Sequence, residues 1–333
     1  MQLIEDILAY KSVSFVGMEK NTGKTETLNF VLRSLKDSIR VSLTSIGIDG
    51  EQKDQIFHTS KPEISVYPDT TFVTAEKLYP LRHLTSAIID LSQRHTALGR
   101  LITAKAITKG QVVLAGPSNT MWLKEIITTL LHTNDICLID GALSRRSIGS
   151  PSITDAMILA TGAAVSMNLD TLVRKTDFIC RMTQLKTVEN NLATKLAVIE
   201  KGIYAVQGNE ISSLPIPSML MIEKYKNVLF SCGKRLFISG ILTENLLKFI
   251  LTLKDVSEVE LIVTDFTKIF STALTTDLFI KRGGKLRVVM PTNLIAVTIN
   301  PFAPSGFAFD SARLHNALAE RINVPIYNVK NIL

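Results

Sequence analysis

"FVGMEKNTGKTETLNFVL", residues 15–32, decides how the rest of the chain is read. It contains Gly23-Lys24-Thr25, the end of a phosphate-binding loop, whose usual spacing is a glycine, four residues, then Gly-Lys-Ser/Thr. Here the earlier glycine is Gly17, so five residues intervene. Ser12–Val16, ahead of the loop, is short, apolar and β-branched, which predicts a buried strand. Behind it, Leu28, Val31, Leu32 and Leu35 recur at helical spacing and predict a helix from about Lys24 to Ser38. In a strand–loop–helix unit the N–H groups at the helix start point at an anion, and the helix dipole adds to the attraction. Lys24 then meets the β/γ-phosphates and the Thr25 hydroxyl ligates Mg²⁺. Gly23 lets the backbone approach the phosphate closely. Gly17, Lys20, Asn21, Thr22 and Glu26 complete the candidate loop, and a nucleoside triphosphate with Mg²⁺ is the expected ligand, with ATP and GTP both open from the loop alone. The competing view is a helix N-terminus that merely contains Gly-Lys-Thr.

A metal-supporting acid is expected at the end of another strand. "DICLIDGA", 135–142, supplies an apolar run and then Asp140. Mg²⁺ keeps several waters and takes one or two carboxylates, so Asp140 alone or through a water suffices. An ordinary turn acid is the alternative. "RVSLTSIGIDGE", 40–51, reads as the strand after the first helix, and its glycine-rich exit offers Asp49 as a second metal acid, with Glu51 beside it. His58 reads as a surface residue. "VVLAGPSNTMWLKEIITTLL", 112–131, predicts a strand over 111–115 and a helix capped by Ser118 or Asn119. Arg145 and Arg146 either pair with phosphate or are simply solvated. Asn300, after the strand "LIAVTI", is a candidate base reader or a loop residue.

The alternation of strands and helices predicts an α/β fold: a three-layer P-loop NTPase with a mostly parallel sheet. A nucleotide-binding domain is expected over 1–207. A smaller C-terminal α/β lobe is expected over 208–333, with "GNEISSLPIPS" (208–218) as the linker; the alternative is a lobe continuous with the first domain. Asp265 reads as a strand-end turn acid, and Asp310 or Ser311 as the cap of a helix with Leu314, Ala317, Leu318 and Ile322 on its core face.

Composition narrows the function. The chain has 333 residues, 46% apolar and 20% charged, enough for a sizeable core. Only 6% is aromatic, too few for base-stacking platforms along a single strand. The net charge of +7 suits an anionic ligand, but the basic residues form no long run, so no nucleic-acid partner is expected. The three cysteines, Cys137, Cys180 and Cys232, have neither metal-finger spacing nor an even count for a disulfide framework. The N-terminus has no signal-like core, and the most apolar run, "AMILATGAAV" (156–165), is too short to span a bilayer. A cytoplasmic protein without a membrane partner is expected, with an oligomer open.

A glycine, five residues, then Gly-Lys-Thr resembles the loops of dethiobiotin synthetase-like proteins. Their class also holds MinD-like ATPases and signal-recognition GTPases. The stretches "VGMEKNTGKTETLN", "TSIGIDGE", "LAGPSNT", "LIDGALSRRS…SPSITDAMILATGA" and "VTINPFAPSG" together resemble the nucleotide-binding subunit of the lysine 5,6-aminomutase reactivase of lysine fermentation. The resemblance runs from about residue 12 to the end. It implies an ATP-driven chaperone that opens an adenosylcobalamin-dependent mutase and releases damaged cobalamin, alongside a MutS-like partner subunit. It implies nucleotide and metal roles for Lys24, Thr25 and Asp140, with Gly17 and Gly23 shaping the loop. The alternative is an ATP-dependent small-molecule ligase or kinase of the dethiobiotin synthetase type. A third possibility is a nucleotide-dependent binding protein with negligible turnover.

Overall fold

Every residue from Ser12 to Gly17 is buried. A strand buried on both faces belongs in the middle of a parallel sheet covered above and below. The computed structural model describes residues 2–46, 64–117, 119–142, 150, 153–199, 201–216 and 224–330. The chain divides into two compact units: Met1–Thr176 with Asn293–Leu333, and Asp177–Thr292.

The chain opens with α1 (Gln2–Leu8), β1 (Ser12–Gly17), α2 (Lys24–Leu35), β2 (Val41–Ser45), β3 (Ile64–Val66) and β4 (Thr71–Ala75). It continues through β5 (Ser86–Thr96), β6 (Gly99–Ala106), β7 (Gly110–Val112), α3 (Thr120–Leu131), β8 (Ile136–Ala142), β9 (Ala156–Gly162) and α4 (Leu169–Thr183). The second unit adds α5 (Asn190–Ala197), β10 (Ile203–Gln207), β11 (Glu210–Ser213), α6 (Lys226–Leu229), β12 (Arg235–Ile238), β13 (Leu242–Thr243) and α7 (Glu244–Ile250). Then come β14 (Glu260–Val263), β15 (Ile269–Phe270), α8 (Ala273–Lys281) and β16 (Lys285–Val288). The first unit closes with β17 (Leu294–Asn300), α9 (Ser311–Ala319) and β18 (Ile326–Tyr327).

The first unit is built on a nine-stranded sheet in the order β18-β17-β9-β1-β8-β2-β4-β6-β5. Neighbours from β18 through β4 are parallel. Only the β4–β6 and β6–β5 ladders are antiparallel. The expected α/β class and mostly parallel sheet are therefore present. Val13 and Phe15 of β1 pack with Leu28, Val31 and Leu35 of α2 and with Leu3 and Ile7 of α1 in one core. Burying a side chain such as Phe15 stabilises the fold by about 1.5–3 kcal/mol. On α3, Leu123, Ile127 and Leu130 are buried, and the helix packs against β2 and β8. Asn119 caps α3 as expected, accepting from the N–H groups of Met121 and Trp122. Ser118 lies outside the described residues.

The second unit has a five-stranded sheet, β11-β10-β12-β14-β16. Its core includes Val188, Leu192, Leu196, Val206, Phe237, Ile262 and Val289. Asp265 is the expected turn acid: its Oδ1 accepts from Thr267 N at 2.8 Å.

Three expectations differ from the structure. The predicted division at 207/208 falls inside the second unit, which begins within α4 at Asp177 and ends at Thr292 just before β17, so the first sheet is completed by the chain's last strands. The expected linker holds a strand instead: Glu210–Ser213 is β11, paired antiparallel with β10. The strand predicted over 111–115 is not part of the large sheet. Only Gly110–Val112 is extended, pairing with β3, and β4 takes the place beside β2. The following residues pass close to β2 and β4: Thr74 Oγ1 donates to Val113 O at 2.7 Å, and a Cβ on Gly116 would lie 1.6 Å from Ser45 O. Among the described residues, no helix is long and apolar enough to cross a membrane.

Candidate nucleotide-binding site

Parallel register brings the candidate residues to one edge of the sheet. Gly17 ends β1 opposite Ala142 of β8 and Ala160 of β9, and Phe15 is level with Asp140. On the other side of β9, Asn300 is level with Gly162. All these strands run the same way, so their carboxyl ends share the edge where open parallel sheets bind ligands.

The loop from Met18 to Gly23 curls back over the end of β1. Met18 N donates to Ala160 O at 2.9 Å, and the hydroxyl of buried Thr22 donates to Glu19 O at 3.0 Å. A Cβ on Gly17 would sit 2.9 Å from Thr22 Oγ1 and 3.2 Å from Glu19 O, so the extra residue of this loop needs a glycine there. Asn21 has φ 62 and Gly23 φ 87, with Thr22 between them and the helix beginning at Lys24. Alternation of left- and right-handed backbone turns successive N–H groups into one concavity, a nest for an anion.

The first N–H groups of any helix have no intrahelical acceptor. On α3 and α9, the side chains of Asn119 and Asp310 accept from them. The α2 start has Gly23 at its N-cap and no side-chain cap bond. Its free end is thus available to phosphate oxygens, and the dipole favours them.

Lys24 Nζ lies 2.6 Å from Asp140 Oδ1, and the two side chains are 19% and 12% exposed. The ammonium expected to meet phosphate and the carboxylate expected to support metal are therefore in contact. Thr25 follows on the first turn of α2 and is half-buried. A hydroxyl and a carboxylate beside a triphosphate are an oxygen donor set suited to Mg²⁺. Among the described residues, no group of three or more His, Cys, Asp or Glu is placed to hold a metal by itself. Asp49, Glu51, His58, Arg145 and Arg146 lie outside the described residues.

Asn300 reaches the loop, in a position that differs from a simple base reader. Its Nδ2 donates to Asn21 O at 3.0 Å, and its Oδ1 accepts from Phe302 N at 3.2 Å. The amide therefore clamps the loop to the end of β17. A Cβ on Gly23 would lie 3.0 Å from the Asn300 Cβ, so the clamp is close enough to demand glycine. Lys20 and Asn21 are exposed on the outer turn. Glu26 is exposed too and lines a cleft of about 150 Å³ with Asn29, Arg33 and Tyr67 on the flank of α2.

Sequence reasoning missed one pair. Thr27 Oγ1 donates to Thr298 Oγ1 at 3.0 Å, both buried, and this joins α2 to β17 just behind the loop. The available signal was Thr298 inside the apolar run "LIAVTI", where a buried hydroxyl needs a partner.

No protein-family model matches the chain, and neither a curated protein nor a solved structure matches it.

Proposed function

We propose that the first unit binds ATP with Mg²⁺ at the loop of residues 17–25 and hydrolyses it. The observation that carries this reading is the meeting of Lys24 and Asp140 at the side-chain-uncapped start of α2. In the proposed complex Lys24 faces the β/γ-phosphates, and Thr25 and Asp140 hold the metal. Phosphoryl transfer asks mainly for positioning and charge stabilisation, which a lysine, a helix end and a metal site supply. The described residues include no arginine assigned to the loop, so isolated turnover is expected to be slow. A finger supplied by a partner can add about 10³–10⁵.

The resemblance extends the proposal: a cytoplasmic reactivase subunit that works with a MutS-like partner on lysine 5,6-aminomutase and discharges damaged cobalamin. The test is to inactivate the mutase, then add ATP, fresh adenosylcobalamin and the partner, with and without this chain. Recovery that is equally fast without the chain, or with Lys24→Ala, would reject the reactivase. The five-residue spacer between Gly17 and Gly23 favours a second reading, a dethiobiotin synthetase-type ligase or kinase. ATP-dependent consumption of a small carboxylate or amine by the chain alone would select it.

A further inference from the structure

We infer that the second unit controls the phosphate loop through α4, with Thr176 as the positioning residue that hands the effect to the loop. The inference rests on the proposed phosphate site and adds a regulator to it. The division between the two units falls inside one helix: α4 spans Leu169–Thr183, and the boundary lies between Thr176 and Asp177. The helix therefore belongs to both units. A helix is a cooperative hydrogen-bonded ladder, so order imposed on one half of it favours order in the other.

The first half of α4 holds the loop. Met18 is the loop residue directly after Gly17, and its sulfur accepts from the Thr176 hydroxyl at 3.5 Å. The same hydroxyl lies 2.8 Å from Thr161 Oγ1 on β9. A hydroxyl has one proton to give. With that of Thr176 turned to Met18, Thr161 is the donor in the second bond. Both threonines are fully buried. Thr128, Thr129 and Thr194 spend their hydroxyls on the carbonyl four residues back in their own helices. Thr176 turns its hydroxyl to the loop and the sheet instead.

The second half of α4 is held by the second unit. Arg181 donates through its two terminal nitrogens to both oxygens of Asp277 on α8, at 2.7 and 3.1 Å. Its Nε donates to Asp177 Oδ2 at 2.9 Å. An exposed ion pair is usually worth little, but a bidentate arginine fork with a second carboxylate on its remaining edge is the stronger kind. A ligand that orders the loop steadies Met18 against Thr176, then α4, then the Arg181–Asp277 fork. Ordering alone couples two sites without any displacement. The coupling is reciprocal, so loosening the fork weakens the ligand by the factor with which the ligand steadies the fork.

The experiment pairs calorimetry of inorganic triphosphate with Mg²⁺ and hydrogen exchange of α8, residues 273–281, with and without that ligand. The full chain is compared with Thr176→Val, Thr176→Ser and Asp277→Asn. In the wild type, triphosphate is expected to slow exchange in α8. Thr176→Val keeps the side chain's shape and removes the hydroxyl; it is expected to weaken triphosphate about two- to tenfold, the worth of one hydrogen bond, and to abolish the response of α8. Thr176→Ser restores both. Asp277→Asn, at a half-exposed position in the second unit, is expected to weaken triphosphate within the same range. A merely structural Thr176 would raise exchange in α4 and leave the response of α8 to triphosphate in place. Wild-type protein that binds triphosphate with no change in α8 overturns the inference, as does wild-type affinity in Asp277→Asn, which decides the matter even if Thr176→Val fails to fold. Wild-type protein that binds no triphosphate brings down the phosphate site, and its regulator with it.

Discussion

The ammonium of Lys24 lies 2.6 Å from Oδ1 of Asp140. Each group neutralises the other where both are largely buried, and in the proposed complex each meets a different part of the Mg²⁺–nucleotide. Binding as proposed would exchange one ion pair for two, lysine with phosphate and carboxylate with metal.

That exchange separates the two substitutions. Lys24→Ala should weaken triphosphate binding by about ten- to a hundredfold, since a hydrogen bond to a charged group is worth about 1.5–3 kcal/mol. It should also destabilise the fold by about 1–3 kcal/mol, because Asp140 loses the cation beside it. Asp140→Asn should bind metal-free nucleotide at least as well as wild type, with Mg²⁺-dependent turnover lost. The double variant should regain part of the stability lost by Lys24→Ala. Calorimetry and urea melts of the three variants decide it: purely additive stability losses mean the contact carries no coupling.

Gly23→Ala puts a side chain on backbone at φ 87, within 3.0 Å of the Asn300 Cβ. The left-handed conformation alone costs an L-residue about 1–2 kcal/mol. Melting should show a loss of at least that size, and nucleotide binding should fall below detection. A variant that melts and binds like wild type would mean the loop does not need this turn.

Asn300→Ala frees Asn21 from the end of β17. Because the clamp acts on the loop backbone, ATP and inorganic triphosphate should weaken by the same factor, about three- to tenfold for one lost hydrogen bond. A loss confined to ATP would return Asn300 to the role of base reader.

The pH limits of stability should lie at two identified groups. Arg40 bonds to Asp135 through its side chain and its backbone N–H, which holds this carboxyl at about 2, below the ordinary 3.8. A lowered carboxyl stabilises fully above its ordinary value, and the contribution is lost as pH falls through about 2. Burial pushes the Cys137 thiol up to about 12 from 9.0. A raised thiol stabilises fully below 9, and that contribution drains away as pH climbs towards 12. Urea melts from pH 2 to 5 and from 9 to 12 should show slopes that flatten in Arg40→Ala and Cys137→Ala respectively; parallel curves would refute each assignment.

Thiol chemistry gives an independent check on the same burial. Cys180, like Cys137, is buried and pushed up to about 12, whereas Cys232 is only half-buried. Since the thiolate is the reactive form, a disulfide reagent at pH 8 should modify Cys232 first. The other two should react only on unfolding, as peptide mapping over time would reveal.

The loop and its acid were legible because both lie in short contiguous patterns: apolar run, turn, then helix at Gly17–Leu35, and apolar run, then acid at Ile136–Asp140. Burial on both faces makes such strands continuous in hydrophobicity, and that signal survives without tertiary context. The limits of the second unit, expected at 208–333, differ from Asp177–Thr292 because its strands and helices continue the same alternation. Nothing in the residues around 177 or 292 marks an insertion. β5 was missed for the opposite reason. Its residues are exposed on most of its length, so no alternating apolar face exists to be read. The 113–116 run is as apolar as a strand, but contacts with Val73, Thr74 and Ser45 hold it as irregular chain. The Asn300 clamp could not be read at all, since it joins residues 279 positions apart.

That separation has a consequence for how the protein is made. β17 is the neighbour of β9, yet the whole of Asp177–Thr292 is synthesised between them. Thr298 and Asn300, which hold α2 and the loop in place, leave the ribosome long after the residues they hold. During translation the loop therefore waits, unclamped, while the inserted unit is free to fold on its own. Such long-range closure slows the last step of folding. Chains stopped at residue 292 should be unable to retain nucleotide, and the capacity should arise abruptly once β17 is added. If ribosome-bound chains ending before Asn293 retain ATP as well as finished protein does, the clamp is not what completes the site.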